Sequence, residues 1–236
     1  MIYIPDKFPY SLLQKTTTGG SRVYLAPDGS KLPSVTTILD ATKSEESKKA
    51  LREWRNRVGY KQAQSITTEA AGRGTRMHKF LENHIKTGDM GEPGTNPYSI
   101  QSHKMAKSII GKGLNNCQEF WGTEISLHFP KVYAGTTDLL GIHNKVECVM
   151  DYKQSNKPKK REWIEDYFIQ LTAYALAHNE VYNTKIRKGV VFMCVAPQLN
   201  SNEEPQYLDF IIEGKEFDHY TNLWYERLEK YYSSFI

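Results

Sequence analysis

Cysteine is scarce in this sequence, and long apolar runs are missing. The three cysteines, Cys117, Cys148 and Cys194, are odd in number and widely spaced, so they form neither a disulfide framework nor a paired-cysteine metal site. We interpret them as reduced, cytosolic thiols. No apolar stretch approaches the roughly 20 residues that a membrane span needs. We therefore expect a cytoplasmic protein with no membrane partner.

From its first residues we expect no targeting leader, and the charge bias is weak. The segment 1–10, MIYIPDKFPY, has neither the basic and apolar regions of a secretory signal nor the Arg- and Ser-rich pattern of a transit peptide. The sequence has 31 Lys and Arg residues against 27 Asp and Glu residues, a formal net charge of +4. That balance is compatible with nucleic-acid binding but does not by itself indicate it.

The composition predicts that the chain folds around its own hydrophobic core. Of the 236 residues, 39% are hydrophobic and 12% aromatic, which is enough for a single domain spanning residues 1–236. In the first 40 residues, turn-forming pairs such as Gly19-Gly20 surround short β-type runs, which predicts a hairpin followed by the start of a helix. Apolar residues at helical spacing predict three further helices, at 44–60, 67–86 and 99–114. The predicted inner face of the last one consists of Ile100, Met105, Ile109 and Ile110.

Period-two alternation replaces helical spacing in the second half of the chain. It predicts β-strands at 122–129, 132–142, 146–152, 188–196 and 206–212. A long helix at 162–182 separates the third of these strands from the fourth, and an aromatic-rich helix at 215–232 closes the chain. We predict an α/β fold in which residues 116–236 form a mixed central β-sheet flanked by helices, and residues 1–115 form an N-terminal hairpin and helical layer.

Two acidic residues and a lysine lie at the ends of neighbouring predicted strands, in the runs YAGTTD, which ends at Asp138, and VECVMDYK, which ends at Lys153. If these strands pair antiparallel, Asp151 and Lys153 share one face, Tyr152 takes the other, and Asp138 faces Asp151. Adjacent carboxylates repel each other unless a cation lies between them, and hard divalent cations prefer such oxygen ligands. The pair therefore predicts a metal site, with Lys153 placed to act on a water or on a phosphoryl oxygen.

A purely structural interpretation competes with this one. In it, Asp138 lies in a turn, while Asp151 and Lys153 form an exposed ion pair worth about 0 to 1 kcal/mol. The tripeptide Asp-x-Lys is common by itself. Its context favours the metal site, because a charge that ends a Val-Glu-Cys-Val-Met run is unfavourable without a compensating function.

Two helical pairs supply further candidates. His78 and Glu82 are four residues apart and share one helix face, just after the glycine-containing run AGRG. Gln170 and Tyr174 share a face of the long predicted helix in the same way. Each pair also has a structural alternative, with His78 as a packing or surface histidine and Tyr174 as a core residue.

Taken together and in this order, G-x-x-x-H-x-x-x-E, G-T-T-D, D-x-K and Q-x-x-x-Y resemble the motifs of the PD-(D/E)xK nucleases of the RecB type. The segments PSVTTIL from Pro33, DYKQSNKP from Asp151 and WYERLE from Trp224 are similar to those of the mitochondrial genome maintenance exonuclease group and its phage and bacterial relatives. The resemblance covers most of the chain from about Pro33 onward. It implies a restriction-endonuclease-like core and, without a transit peptide, a bacterial or phage-encoded enzyme.

The resemblance also implies a metal centre with one or two Mg²⁺ or Mn²⁺ ions. The implied ligands are His78, Asp138, Asp151 and the backbone carbonyl of Tyr152. Glu124, at the start of the preceding predicted strand, would orient a second metal or a water, or else be a structural acid at a strand edge. Iron-sulfur relatives use four cysteines, so no cluster is expected here.

For the remaining site residues, the resemblance implies contacts with water and with substrate. Lys153 would position or deprotonate the attacking water, and Gln170 and Tyr174 would contact the site or the scissile strand. The candidates for phosphate contacts are Arg73, Arg76, Lys157, Lys159, Lys160 and Arg161. The run 157–161 has a solvated loop as its alternative.

The implied partner is single-stranded DNA with a free end, over which the N-terminal helical layer would arch. Trp54, Trp121 and Trp163 are candidates for stacking on unpaired bases or for the core. The sequence has no GxxxxGK[ST] motif, so any helicase would be a separate protein. Three alternatives stay open: a structure-specific or flap endonuclease with the same catalytic residues, an inactive DNA-binding module, and an enzyme acting on a small phosphate ester.

Overall fold

The computed structural model describes residues 2–19 and 21–235, so the predicted turn residue Gly20 lies outside the described part. In chain order, the elements are β1 (Ile2–Tyr3), β2 (Gln14–Thr18), β3 (Ser21–Leu25), β4 (Lys31–Pro33), α1 (Val35–Ala41), α2 (Glu45–Val58), α3 (Tyr60–Thr87), α4 (Pro97–Lys112), β5 (Cys117–Phe129), β6 (Tyr133–His143), β7 (Val146–Ser155), α5 (Glu165–Tyr182), β8 (Lys188–Val195), β9 (Gln206–Glu213) and α6 (Gly214–Ser233).

The central sheet is mixed, as predicted. Its strand order in the described part is β1-β5-β6-β7-β8-β9. Strands β5, β6 and β7 form an antiparallel meander, α5 crosses over to β8, which is parallel to β7, and β9 returns antiparallel. The predicted α/β class, with a mixed sheet flanked by helices, is therefore confirmed. Strand β1, which pairs in parallel with β5, was not predicted.

Helices cover both faces of this sheet, and the alternation along β7 decides which side chains meet which helices. Val149 packs in the core formed with α1, α5 and α6. Met150 and Tyr152 pack in the opposite core, formed with α3 and α4. Because successive side chains point to opposite faces, Asp151 and Lys153 lie on the α5 side, as expected.

Helices α2 and α3 differ from the prediction in their bounds and packing. Gly59, with φ +85°, separates them, and α3 begins at Tyr60 rather than near residue 67. Residues of α2 are half-buried or exposed throughout, and its predicted inner residue Leu51 is 44% exposed. None of the helices in the described ranges combines the length and apolarity that a bilayer span requires.

The predicted inner face of α4 is only partly correct. Met105 and Ile109 are fully buried, but Ile100 is 37% exposed. Gln101 takes the inward position instead, because its Nε2 atom donates to the Pro197 carbonyl at 2.7 Å. Ser102 is likewise buried and donates to the Tyr98 carbonyl of its own helix. Polar residues that find backbone acceptors can thus replace apolar ones in a core.

The predicted N-terminal hairpin is a small antiparallel sheet, β2-β3-β4. Its apolar residues Tyr24 and Leu32 pack in a separate small core that includes Ala134 of β6. Directly after this sheet, the Ser34 side chain accepts a hydrogen bond from the Thr37 backbone N–H and so caps α1. The small sheet therefore lies against the strand that carries Asp138.

Candidate active site

The two aspartates lie where strands β6 and β7 separate. Backbone pairing between these strands ends at Leu139 and Met150. Just beyond this last pair, Asp138 Oδ2 accepts a hydrogen bond from the backbone N–H of Tyr152 at 2.7 Å. The Asp138 carboxylate thus takes the place of a strand partner, and both carboxylates are buried, with 8% exposure for Asp138 and 2% for Asp151.

His78 reaches this point from α3. Its Nε2 atom lies 3.0 Å from the Tyr152 backbone oxygen. A carbonyl oxygen can only accept a hydrogen bond, so Nε2 must carry the proton. The other ring nitrogen, Nδ1, then faces the acids, 3.5 Å from Asp138 Oδ1 and 3.7 Å from Glu124 Oε1.

The sequence predicts Glu124 at the start of a strand, but Glu124 lies in the middle of β5. Its neighbours Thr123 and Ile125 pair with Leu139 and Thr137, which places Glu124 directly opposite Asp138. Its φ of +55° is in the left-handed region, which costs roughly 1 to 2 kcal/mol for a residue with a Cβ. Strain of this kind is concentrated at functional sites.

The side chains of His78, Glu124 and Asp138 form a candidate metal site in the described part of the chain. One ligand atom from each lies within 4.8 Å of the others. Burial, together with the charge of Asp151, raises the pKa of Asp138 to about 7. Burial opposes the charge on His78, but Asp138 and Glu124 outweigh it and raise the pKa of His78 to about 9. Acids that resist ionising side by side favour a cation between them, so the donor set fits a hard divalent ion.

Asp151 pairs with Lys153 instead of joining this triad. The Lys153 ammonium group contacts Asp151 Oδ2 and lies 4.8 Å from the centre of the Tyr167 ring. Burial lowers the pKa of Lys153, but Asp151 and Asp138 outweigh it, so the pKa is raised. Lys153 is therefore a retained positive charge at the floor of the site.

Gln170 and Tyr174 meet on α5, as their spacing predicts. Gln170 Nε2 donates to Tyr174 Oη at 3.0 Å, and both residues are buried at the cleft. The Tyr174 ring lies over Gly135, where an added Cβ would come within 2.5 Å of ring atom Cε1. The glycine of the GTTD run is therefore needed for the close approach of this tyrosine.

An open cleft of about 620 Å³ contains these residues and adds several that the sequence did not single out. The added lining residues are Lys15, Arg22, Thr36, Thr75, Lys79 and Thr136. Lys15 and Arg22 come from the small N-terminal sheet. The alternating run around them predicts a strand but carries no local signal of where that strand packs.

Neither Arg73 nor Arg76 is among the residues that line the cleft, and the burial of Arg73 argues against its predicted role in phosphate binding. Arg73 is 3% exposed, and its guanidinium donates to the side-chain oxygens of Gln154 and Asn156. Arg76 faces α4, where Nε lies 3.3 Å from Ser102 Oγ. Arg73 therefore joins α3 to the segment at the end of β7. Arg76 is half-buried, and its predicted phosphate contact stays a prediction.

The basic run after β7 divides in a similar way. Arg161 donates to Glu216 and to the Ile211 carbonyl, so it holds the loop to β9 and α6 rather than facing the cleft. The other cations of the run, Lys157, Lys159 and Lys160, are exposed. Their predicted contact with DNA stays a prediction.

The three tryptophans named as stacking candidates have different surroundings. Trp121 is fully buried in the core on the α5 side, so it cannot stack on a base. Trp163 is 61% exposed, with Lys160 Nζ 5.4 Å from the centre of its ring. Trp54 is half-buried on α2.

The chain is similar in sequence to proteins from three organisms that share one name. The chain is 29% identical over 215 residues to mitochondrial genome maintenance exonuclease 1 of Xenopus tropicalis, an alignment that covers 85% of this chain and 57% of that protein. The proteins of the same name from Mus musculus and Homo sapiens are each 25% identical, with 92% and 85% of this chain and 63% and 58% of theirs covered. The predicted resemblance to this group is confirmed. The chain spans only 57% to 63% of the length of these relatives.

No protein-family model matches the chain. Among solved structures, a phage-related exonuclease from Haemophilus somnus 129PT overlaps 69% of this chain and 81% of its own, with a TM-score of 0.34 and 13% identity. This TM-score is too low to support a shared fold. The assignment to the α/β class is therefore based on the strand order of this chain.

Proposed function

We propose that this chain is a divalent-metal-dependent nuclease that hydrolyses phosphodiester bonds at the ends of single-stranded DNA. The observation that carries the proposal is the meeting of His78, Glu124 and Asp138 beside the Lys153–Asp151 ion pair, on the floor of an open cleft. The name shared by the relatives supports a nuclease that acts on ends. The preference for a single strand is supported by the likeness of the motifs.

The triad His78, Glu124 and Asp138 would hold Mg²⁺ or Mn²⁺. When bound, such a cation supplies Lewis-acid stabilisation of a phosphoryl oxygen. The protein prepares the site for it, because the Tyr152 carbonyl fixes the Nε2–H form of His78 and leaves Nδ1 toward the carboxylates. A hydrogen bond of this kind to a ligating histidine orients the ring and sets its tautomer. The Tyr152 carbonyl, predicted as a ligand, thus has an orienting role in this proposal.

Lys153 and Tyr174 act on the substrate side of the cleft. The Lys153 ammonium, held by Asp151, provides charge-assisted donors for the attacking water or for an oxygen of the scissile phosphate. Tyr174 Oη already accepts a hydrogen bond from Gln170, which leaves its own proton free to donate to a phosphate oxygen. Both groups stabilise negative charge where it accumulates during hydrolysis.

Digestion of end-labelled linear and circular single-stranded DNA tests this function. Wild-type protein is compared with Lys153→Ala and with Lys185→Ala, an exposed lysine at the far end of the sheet, in magnesium, manganese or EDTA. We expect loss of the linear strand alone, only with metal, in wild type and Lys185→Ala but not in Lys153→Ala. Cleavage of the circular strand would instead indicate an endonuclease. Binding without cleavage under every metal condition would favour the inactive DNA-binding module.

A further inference from the structure

The charges lining the cleft leave two cations without an acidic partner. The acids Glu82, Glu124, Asp138 and Asp151 all face this space. Two of the cleft's lysines are engaged, Lys79 with Glu82 at 3.0 Å and Lys153 with Asp151. Within residues 2–19 and 21–235, neither Lys15 nor Arg22 makes an ion pair, and both are exposed.

This arrangement creates a problem for an anionic substrate. A phosphodiester strand entering the cleft meets a floor with more acids than unpaired cations, and its own charges are repelled there. Binding of such a strand needs cations that are not already neutralised by protein acids. Lys15 and Arg22 are the lining residues that meet this condition.

The register of the small sheet puts both cations on one face. Lys15 pairs with Tyr24, and Arg22 pairs with Thr17. Residues directly opposite each other project to the same side, and so do residues two apart on one strand. Lys15, Thr17, Arg22 and Tyr24 therefore share a face, with the two cations two ladder positions apart, about 7 Å.

A hydrogen bond fixes that face against the catalytic strand. Tyr24 Oη lies 3.0 Å from Thr136 Oγ1, two residues before Asp138. A backbone bridge between Ser34 and Ala134 holds the end of the small sheet to the same strand. Tyr24 is buried, so the position of the face relative to the carboxylates does not depend on exposed side chains.

We propose that this face of the small sheet is a phosphate-binding wall, on which Lys15 and Arg22 each contact one phosphate of the substrate strand and position it over Asp138 and Lys153. The proposal rests on the nuclease function above and extends it to a segment outside the catalytic sheet. Neither contact reads a base, so the wall holds any single strand regardless of sequence.

Binding of a fluorescein-labelled single-stranded oligonucleotide, followed by anisotropy in EDTA so that no cleavage occurs, tests the wall. Each lost phosphate contact reduces the slope of log K against log salt by about 0.7 on single strands. We therefore expect Lys15→Gln and Arg22→Gln each to reduce the slope by about 0.7, and the double variant by about 1.4. The charge-conserving pair Lys15→Arg and Arg22→Lys should bind like wild type.

Lys31→Gln is the matched control. Lys31 belongs to the same sheet and is exposed, but it pairs with Leu25 on the opposite face, so its removal should not change the slope. The proposal of a phosphate-binding wall fails if the salt slope is unchanged in the double variant, or if Lys31→Gln changes it by the same amount. If the wild type cuts DNA while the double variant binds normally, only the wall fails. A wild type that neither binds nor cuts refutes the nuclease function itself.

Discussion

His78 Nε2 donates a hydrogen bond to the backbone carbonyl oxygen of Tyr152 across 3.0 Å. This contact joins helix α3 to the strand segment between Asp151 and Lys153. Because the carbonyl occupies Nε2, the nitrogen left to face Asp138 and Glu124 is Nδ1. A helix motif and a strand motif, more than 70 positions apart in the chain, become one site through this bond.

Replacing His78 should weaken metal binding. His78→Ala removes one of the three ligand atoms. Loss of a residue that only orients a metal ligand lowers metal affinity by about 10- to 100-fold, so we expect Mn²⁺ affinity to fall by at least that factor. Isothermal titration calorimetry with Mn²⁺ measures this. His84→Ala, on the same helix but outside the cleft, is the control. Equal affinities for both variants would remove His78 from the metal site.

Gly135→Ala should destabilise the protein and displace Tyr174. The new Cβ would lie 2.5 Å from the Tyr174 ring, and overpacking of this kind costs about 1 to 3 kcal/mol. Urea unfolding measures the change. Gly111→Ala is the matched control, because nothing lies within 4 Å of its Cβ position in α4. That variant should be neutral or gain up to about 1 kcal/mol from helix propensity, so destabilisation of both by the same amount would contradict the steric argument.

Arg73→Ala should lower stability without changing how salt affects DNA binding. Its loss removes a buried side chain and leaves the half-buried side-chain oxygen of Gln154 without the Arg73 donors, which costs about 1 to 3 kcal/mol. We expect a lower urea midpoint and the wild-type salt slope for single-stranded DNA. Arg57→Ala, an exposed position on α2, should leave the urea midpoint unchanged. A reduced slope with unchanged stability would instead support the original assignment of Arg73 to phosphate binding.

His178 should make the fold less stable in acid. Burial lowers its pKa to about 4 from the ordinary value of 6.5, and its two nitrogens meet the hydroxyls of Tyr10 and Thr184. Between these values the unfolded chain binds a proton that the folded chain does not. Unfolding free energy therefore falls as pH decreases from 6.5 toward 4, by about 3 kcal/mol at most.

The difference between wild type and His178→Gln isolates this contribution from the carboxylates that titrate in the same range. We expect the difference in unfolding free energy to shrink as pH falls through the window. His219→Gln, at an exposed position, serves as the control and should track wild type. A difference that is constant with pH would show that His178 does not enter folding as a neutral group.

The local alternation of apolar and polar residues predicted much of the central sheet correctly. Period-two alternation predicted β6 and β7, and it placed Asp151 and Lys153 on the face opposite Tyr152, as the two cores confirm. The boundary between α2 and α3 was misplaced because Gly59, which breaks the helix with a positive φ, lies inside a run that reads as continuous polar helix.

The local sequence pattern did not predict which way each side chain of a helix points or which distant residues it contacts. Arg73 and Arg76 read as equivalent cations, yet Arg73 is buried and Arg76 packs against α4. Glu124 was read as a strand-start acid, because neither its left-handed φ nor its position opposite Asp138 has a signature in single-sequence alternation.

By itself, the sequence determined the α/β class, the order of the main strands and the cluster of Asp138, Asp151 and Lys153, because alternation and strand ends are local properties. Only the tertiary structure decided that Glu124 faces His78, that Asp151 pairs with Lys153, and that Lys15 and Arg22 line the cleft. Those relationships depend on how separate elements pack, through contacts such as that of Tyr24 with Thr136. No stretch of neighbouring residues encodes a contact between elements more than a hundred positions apart.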